Sequence, residues 1–177
     1  MMKKDRRIKE TLGWVMTLFV TFVCAIIINS TVLASALVVS SSMENTIMTD
    51  SRVMGIRVAY IINDPKRFDI ILFQPPDDVT SIPYVKRIIG LPNEKVEIIG
   101  GKVYIDDSDV PLDDSFTKEA ARGDCGPFFV PEDSYFVLGD NRNGSNDSRY
   151  WVHKYVSRDK ILGKIYFEYF PSPHMLD

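Results

Sequence analysis

The pattern of hydrophobic and polar positions changes character once along the chain, near residue 40. No side chain from residue 12 to residue 43 is charged, and residues 12–28 are almost wholly apolar. A helix crosses a hydrocarbon core with about 20 residues at about 1.5 Å per residue, so the spacing predicts a transmembrane helix over 12–31, with Asn29, Ser30 and Thr31 at the far interface. Beyond residue 40 the apolar residues fall in short runs rich in β-branched and aromatic side chains, the composition of strands. Such runs occupy 52–62, 68–73, 84–89, 95–99, 102–105, 135–138 and 161–170, and Pro65, Pro75, Pro76 and the Gly90-Leu91-Pro92-Asn93 turn punctuate them. Gly100-Gly101 between two of these runs predicts a hairpin, because glycine accepts the positive φ of a primed turn. Residues 107–134 are polar and turn-rich and are expected to form an extended loop, with short helical pieces near 115–121. Many short strands separated by turns imply an all-β, barrel-like or folded-sheet domain.

Charge adds direction to this outline. Residues 1–11 carry Lys3, Lys4, Arg6, Arg7 and Lys9 against Asp5 and Glu10, whereas residues 40–177 carry 16 Lys+Arg against 22 Asp+Glu. The positive-inside bias then places residues 1–11 in the cytoplasm as a basic tail, residues 12–31 across the membrane and residues 32–177 outside it as the β-rich domain. An acidic exterior argues against a nucleic-acid partner. A basic stretch, an apolar stretch and then Ala34-Ser35-Ala36 also outline a cleavable secretory signal, although the apolar stretch exceeds the roughly 7 to 15 residues usual there. Cys24 in the apolar segment and Cys125 in a polar loop are poorly placed to pair.

Candidate chemistry begins at Ser40-Ser41-Ser42-Met43, just past the apolar segment. A serine run alone reads as a loop, and a serine hydroxyl is a poor nucleophile unless a base removes its proton. The chain has two histidines, His153 in a polar stretch and His174 in the tail, neither in a pattern that points to a triad. A lysine serves as base when burial lowers its pKa, by up to about 3 to 5 units for a fully buried amine. In a strand over 84–89, Tyr84, Lys86 and Ile88 share one face and Val85, Arg87 and Ile89 the other, which puts the Lys86 amine between aromatic and apolar neighbours.

Three patches, taken in order, resemble the type I signal peptidases, membrane serine proteases with a Ser-Lys dyad. They are Ser42-Met43 after the apolar segment, Lys86-Arg87-Ile88-Ile89-Gly90-Leu91-Pro92, and Gly139-Asp140-Asn141-Arg142-Asn143-Gly144-Ser145-Asn146-Asp147-Ser148-Arg149. The resemblance runs from the apolar segment to about residue 170. It implies Ser42 as nucleophile, with Thr46 at the usual following position, and Lys86 as general base. It further implies Ser40 as a hydroxyl donor to the oxyanion hole, Ser145 as the residue that orients the lysine, and Asp140, Arg142, Asp147 and Arg149 as charges that brace the site. It implies neither metal nor cofactor. The implied partners are secretory preproteins with small-x-small cleavage sites and membrane lipid, and the implied location is a bacterial plasma membrane, since a member of the endoplasmic reticulum type ordinarily has His at the Lys86 position. Ala34-Ser35-Ala36 would then be a candidate self-cleavage site. Asn143 and Asn146 open formal glycosylation sequons, but a sugar there would cover the site.

The chain departs from the family pattern at Val39, Asn45, Phe68, Asn93-Glu94 and Val152. Phe68 stands where glycine is common and is the departure most able to alter local turn geometry. Two other functions fit the same residues. One is a Ser-Lys peptidase dedicated to a narrow pilus, sporulation or conjugation client; the other is a catalytically inactive, membrane-tethered β domain that binds exported chains.

Overall fold

The computed structural model describes residues 2–77 and 82–176. The chain divides at Leu33/Ala34 into two compact units. The first is a single helix, α1, over Met2–Thr31. Within it Glu10–Thr31 is long and apolar enough to cross a membrane. The helix continues back through the basic segment expected to be a separate tail, because Lys, Arg and Glu are good helix formers and nothing there breaks the backbone pattern.

The second unit is built of strands. In chain order they are β1 (Leu33–Leu37), β2 (Arg52–Ile56), β3 (Ile70–Phe73), β4 (Tyr84–Gly90), β5 (Lys95–Ile99), β6 (Lys102–Ile105), β7 (Cys125–Phe129), β8 (Ser134–Leu138), β9 (Val156–Ser157), β10 (Ile161–Phe170) and β11 (His174–Met175). A large sheet runs β1-β2-β10-β3-β4-β8-β9, with β11 also on β10, and a small one runs β6-β5-β7. The long strand β10 pairs with β3 along its first part and with β2 along its second, with register shifts between Ile161 and Gly163, Ile165 and Phe167, and Glu168 and Phe170. Such bulges bend a strand and sharpen its twist, so one strand serves two neighbours that could not share a flat sheet.

The expected strand over 52–62 ends at Ile56, and residues Ala59–Ile62 form a short helical turn, α2. Tyr60 holds that turn by donating its hydroxyl to Asp69 Oδ2 (2.8 Å), a tertiary contact that outweighs the β preference of its neighbours. The loop expected over 107–134 contains β7, which the sequence conceals because Gly126-Pro127 interrupts it. Proline is tolerated there since β7 lies at the edge of its sheet. No helix forms over 115–121. Asp113 Oδ1 accepts from Ser115 N (3.0 Å) and Asp114 O from Thr117 N (2.9 Å), so the local side chains and turns take the donors a helix would use.

Three apolar clusters fill this unit. One, including Ala34, Met43, Ile47, Val53, Leu72 and Val85, lies beneath the serine segment. A second joins the sheets through Ile89, Val96, Ile98, Phe136 and Leu138, and a third gathers Ile71, Phe73, Ile88, Val137 and Trp151. Ala34 is fully buried in β1, so the Ala34-Ser35-Ala36 segment cannot enter a protease cleft without leaving the sheet.

The expected hairpin is present between β5 and β6, with Gly100 at φ 58° and Gly101 at φ 79°. A Cβ on Gly100 meets nothing within 4 Å, whereas one on Gly101 would lie 2.6 Å from the Ala121 carbonyl oxygen. Gly101→Ala is therefore expected to destabilise the protein by at least about 1–2 kcal/mol in denaturant unfolding, and Gly100→Asn to be nearly neutral, since asparagine accepts left-handed backbone. Equal effects of the two substitutions would show that the Ala121 contact does not matter.

Candidate active site

The serine segment leaves β1 as extended chain and closes into a 3-10 turn over Ser41–Met43. Two features hold it. Val38 N donates to Ser51 O (2.9 Å) and Asp50 N to Val38 O (2.8 Å), while the fully buried side chains of Met43 and Ile47 fix the turn to the core. Ser42 is thereby presented at the wall of a cavity with little of its surface exposed. Ser40 Oγ lies 3.1 Å from Ser42 Oγ.

Lys86 comes from β4, a strand with neighbours on both sides, and sits opposite Ile71 of β3. Its Nζ meets Ser42 Oγ at 2.5 Å. The Tyr84 ring centroid is 5.7 Å from the same nitrogen, and only 3 % of the residue is exposed. Burial pushes the amine down from 10.5 to about 8, against the pull of the Asp147 and Asp140 charges, which favour the protonated form. A hydroxyl and an amine of this kind can exchange a proton near neutral pH. Neither histidine hydrogen-bonds to Ser42 among the described residues: His153 Nδ1 pairs with Asp77 at 2.5 Å and His174 Nδ1 with Ser172 O at 2.7 Å.

The 139–149 segment wraps this pair. Asn141 donates from its backbone N to Ser42 O (3.2 Å) and from Nδ2 to Ser41 O (3.0 Å), clamping the turn. Asp147 receives Arg149 in a bidentate pair, Nε to Oδ1 and Nη2 to Oδ2, each 2.8 Å, and also accepts from Gly139 N (3.1 Å). Asp140 accepts from Thr46 Oγ1 (2.5 Å), Arg87 Nε (3.0 Å) and Arg87 Nη2 (2.8 Å). Arg142 donates from Nη1 to Asp114 Oδ2 (3.0 Å), and its burial lowers its pKa. Asp140, Arg142, Asp147 and Arg149 are all buried; the two carboxylates and Arg149 are held by partners, whereas Nε and Nη2 of Arg142 make no hydrogen bond among the described residues.

Ser145 differs from expectation. Its hydroxyl is buried but makes no hydrogen bond among the described residues, and the Lys86 amine bonds to Ser42 instead. Ser145 instead packs over Gly139, where a Cβ would come within 2.3 Å of both Ser145 Oγ and Ser42 O. The sequence reading assigned no part to Arg87, Asn141, Asp114 or Phe116. Arg87 had a signal, its place beside Lys86 in a strand whose two faces both prove to be buried. Asp114 and Phe116 had none, since they lie in a stretch without recognisable pattern.

Beside Ser42 and Lys86 is a cavity of about 510 Å³. One wall is Ala36 to Ser40, the other Ile82 to Lys86, and Gly144 and Asn146 complete it. Apart from the dyad its lining is largely aliphatic and aromatic.

Comparison with known proteins shows the family of the chain. Residues 11–170 match the family described as signal peptidase, peptidase S26. A probable signal peptidase I-2 of Synechocystis sp. is 36% identical over 163 residues, 90% of this chain and 73% of its own length. A signal peptidase I of Bacillus licheniformis is 32% identical over 177 residues, 96% and 94% of the two chains. A crystal structure of a signal peptidase I from Enterococcus faecalis V583 is 35% identical and covers 58% of this chain and 97% of its own, with a TM-score of 0.48. The chain belongs to the signal peptidase family, peptidase S26.

Gly139→Ala tests the close packing under the dyad. The added methyl must displace Ser145 or the Ser42 carbonyl, so a stability loss of about 1–3 kcal/mol is expected in denaturant unfolding. Wild-type stability would show that these groups yield freely.

Proposed function

We propose that this chain is a membrane-bound serine endopeptidase that removes N-terminal signal peptides from secretory preproteins, with Ser42 as nucleophile and Lys86 as general base. The observation that carries the reading is the 2.5 Å contact between the Ser42 hydroxyl and a buried amine whose pKa is pushed down to about 8. At pH 7 such an amine is neutral in roughly one molecule in ten, against roughly one in 3,000 for an ordinary lysine.

In the first step Ser42 Oγ attacks the scissile carbonyl carbon and its proton passes to the Lys86 nitrogen. The negative charge that develops on the carbonyl oxygen is met by the Ser42 backbone N–H and the Ser40 hydroxyl. Donors so placed act on charge that exists only in the transition state, each worth about 2.7 to 4 kcal/mol in hydrolases. The Lys86 ammonium then gives its proton to the leaving nitrogen as the peptide bond breaks, which frees the mature chain and leaves the signal peptide esterified to Ser42. Neutral Lys86 next takes a proton from water as the water attacks the ester, and returns it to Ser42 Oγ.

The apolar walls on either side of the dyad suit an extended peptide with small side chains near the cut, and supply no charge to bind an acidic or basic one. The basic residues of the first turns of α1, ahead of its apolar span, orient the N-terminus to the cytoplasm and the β unit outside a bacterial plasma membrane. Ser42 follows the end of α1 at Thr31 by eleven residues, which suits a substrate presented at the same interface.

Ser42→Ala and Lys86→Met are each expected to abolish cleavage of a model preprotein by the full-length enzyme while leaving the protein folded and membrane-bound. Full activity in either variant would refute the dyad. A panel of unrelated preproteins separates a general peptidase from one with a single client.

The reactive form is the neutral amine, so activity must follow its deprotonation. On the acid side kcat/KM is expected to rise about tenfold per pH unit and to level off above about 8. A profile already flat between pH 6 and 8 would mean that Lys86 is not the group whose ionisation controls the rate.

A further inference from the structure

Two residues of the loop between β6 and β7, Asp114 and Phe116, make contacts beside each segment that builds the dyad site. The Phe116 ring lies with its centroid 4.2 Å from the Arg87 guanidinium carbon, and Arg87 is the chain neighbour of Lys86 on β4. The Phe116 carbonyl accepts from Asn45 Nδ2 (2.8 Å), two residues beyond the 3-10 turn that holds Ser42. Asp114 Oδ2 accepts from Arg142 Nη1 (3.0 Å), within the segment that clamps the turn from the other side. The base strand, the chain just past the nucleophile turn and the clamp are therefore all tied to a stretch of three residues, the clamp through both Asp114 and the Phe116 ring, whose centroid is 5.9 Å from the Arg142 guanidinium carbon.

We infer that Asp114–Phe116 is a positioning element for the Ser42–Lys86 pair, with Phe116 as its centre. The inference rests on the dyad reading given above. The Phe116 ring shields Arg87 from water and keeps it on Asp140, and the Phe116 carbonyl holds the Ser42 turn at a fixed distance from β4. A guanidinium over an aromatic face is held more firmly the drier the contact, and Arg87 is 2 % exposed. None of the three residues touches the reacting atoms, so their effect on chemistry is through geometry and charge.

The charged groups around Lys86 define a readout that a merely structural role would not move. Asp140 and Asp147 act on the amine and both raise its pKa; Arg87 neutralises the first and Arg149 the second. Without the Phe116 ring, Arg87 becomes hydrated and its hold on Asp140 slackens, so Asp140 pulls harder on Lys86 and the amine deprotonates at higher pH.

The test uses full-length enzyme in detergent micelles and a model preprotein, with Phe116→Ala, Phe116→Leu and Asn45→Gly. Asn45 has φ 91°, which glycine adopts without strain, so that variant removes the hydrogen bond to the Phe116 carbonyl while the backbone conformation stays accessible. Phe116→Ala and Asn45→Gly are expected to lower kcat about ten- to a hundredfold, the loss typical of misplaced reacting groups, with KM within about twofold. Phe116→Ala should also move the acid limb of kcat/KM to higher pH, and Phe116→Leu should recover part of kcat. If Phe116→Ala fails to fold, Phe116→Leu and Asn45→Gly carry the decision. Folded variants with wild-type kcat and an unmoved acid limb overturn this inference alone, whereas full activity in the Ser42→Ala variant overturns the dyad and this inference with it.

Discussion

The structure depends on one electrostatic balance. Lys86 must give up its proton near neutral pH, yet the segment that encloses it carries two carboxylates whose fields favour its protonation. Holding the amine near 8 instead of 10.5 disfavours its protonated form by roughly 3 kcal/mol. The folded state bears this cost in full below pH 8, where both states hold the proton but only the folded one holds it in a dry site, and the cost shrinks as pH rises from 8 to 10.5, where the unfolded chain alone is still largely protonated. Burial supplies the resistance. The two carboxylates are tolerable because each already has a guanidinium: Arg87 on Asp140 and Arg149 on Asp147.

The fold can be understood as the means of keeping that balance. A residue in a strand at the interior of a sheet has its backbone donors and acceptors satisfied on both edges, so β4 can bury a lysine and an arginine on adjacent positions without exposing its backbone to water. Alternation then sends the two cations to opposite faces, one to the serine and one to the carboxylate. A helix could not separate consecutive side chains so sharply. The nucleophile, by contrast, lies on a short turn, where the chain can project a hydroxyl, and the turn gains rigidity from Met43 and Ile47 beneath it and Asn141 beside it.

Much of this was legible in the sequence because the relevant signals are local. The apolar run of α1, the alternation that put the Lys86 amine beside Tyr84, and the diglycine between β5 and β6 all act within a few residues, and each feature is found where local rules put it. The serine segment, Lys86 and the 139–149 segment come together across more than 100 residues of chain, and that was readable only through resemblance to a family. What could not be read depends on tertiary partners. Tyr60 turns out of its strand because Asp69 is within reach, and β7 forms at an edge that tolerates Pro127. Arg87 is buried rather than solvated because Asp140 and Phe116 are waiting for it. Ser145 shows the converse, a residue whose position agrees with the family pattern while its hydroxyl lacks the expected contact.

Two of the departures from the family pattern, Asn45 and Phe68, find a shared physical context at Phe116. Phe68 has φ 72° and Asn45 φ 91°, both in the left-handed region; such backbone costs a bulky residue on the order of 1–3 kcal/mol and an asparagine less. In each case the contacts that offset the cost lead to the same place. The Phe68 carbonyl accepts from Arg87 Nη1 (2.9 Å) and its ring meets Phe116 edge-on at 5.7 Å, while Asn45 donates to the Phe116 carbonyl. Glycine at position 68 would relieve the backbone and forfeit the ring contact. The strained residues and the aromatic that rewards them thus belong to one arrangement, and its other member is the arginine next to the base.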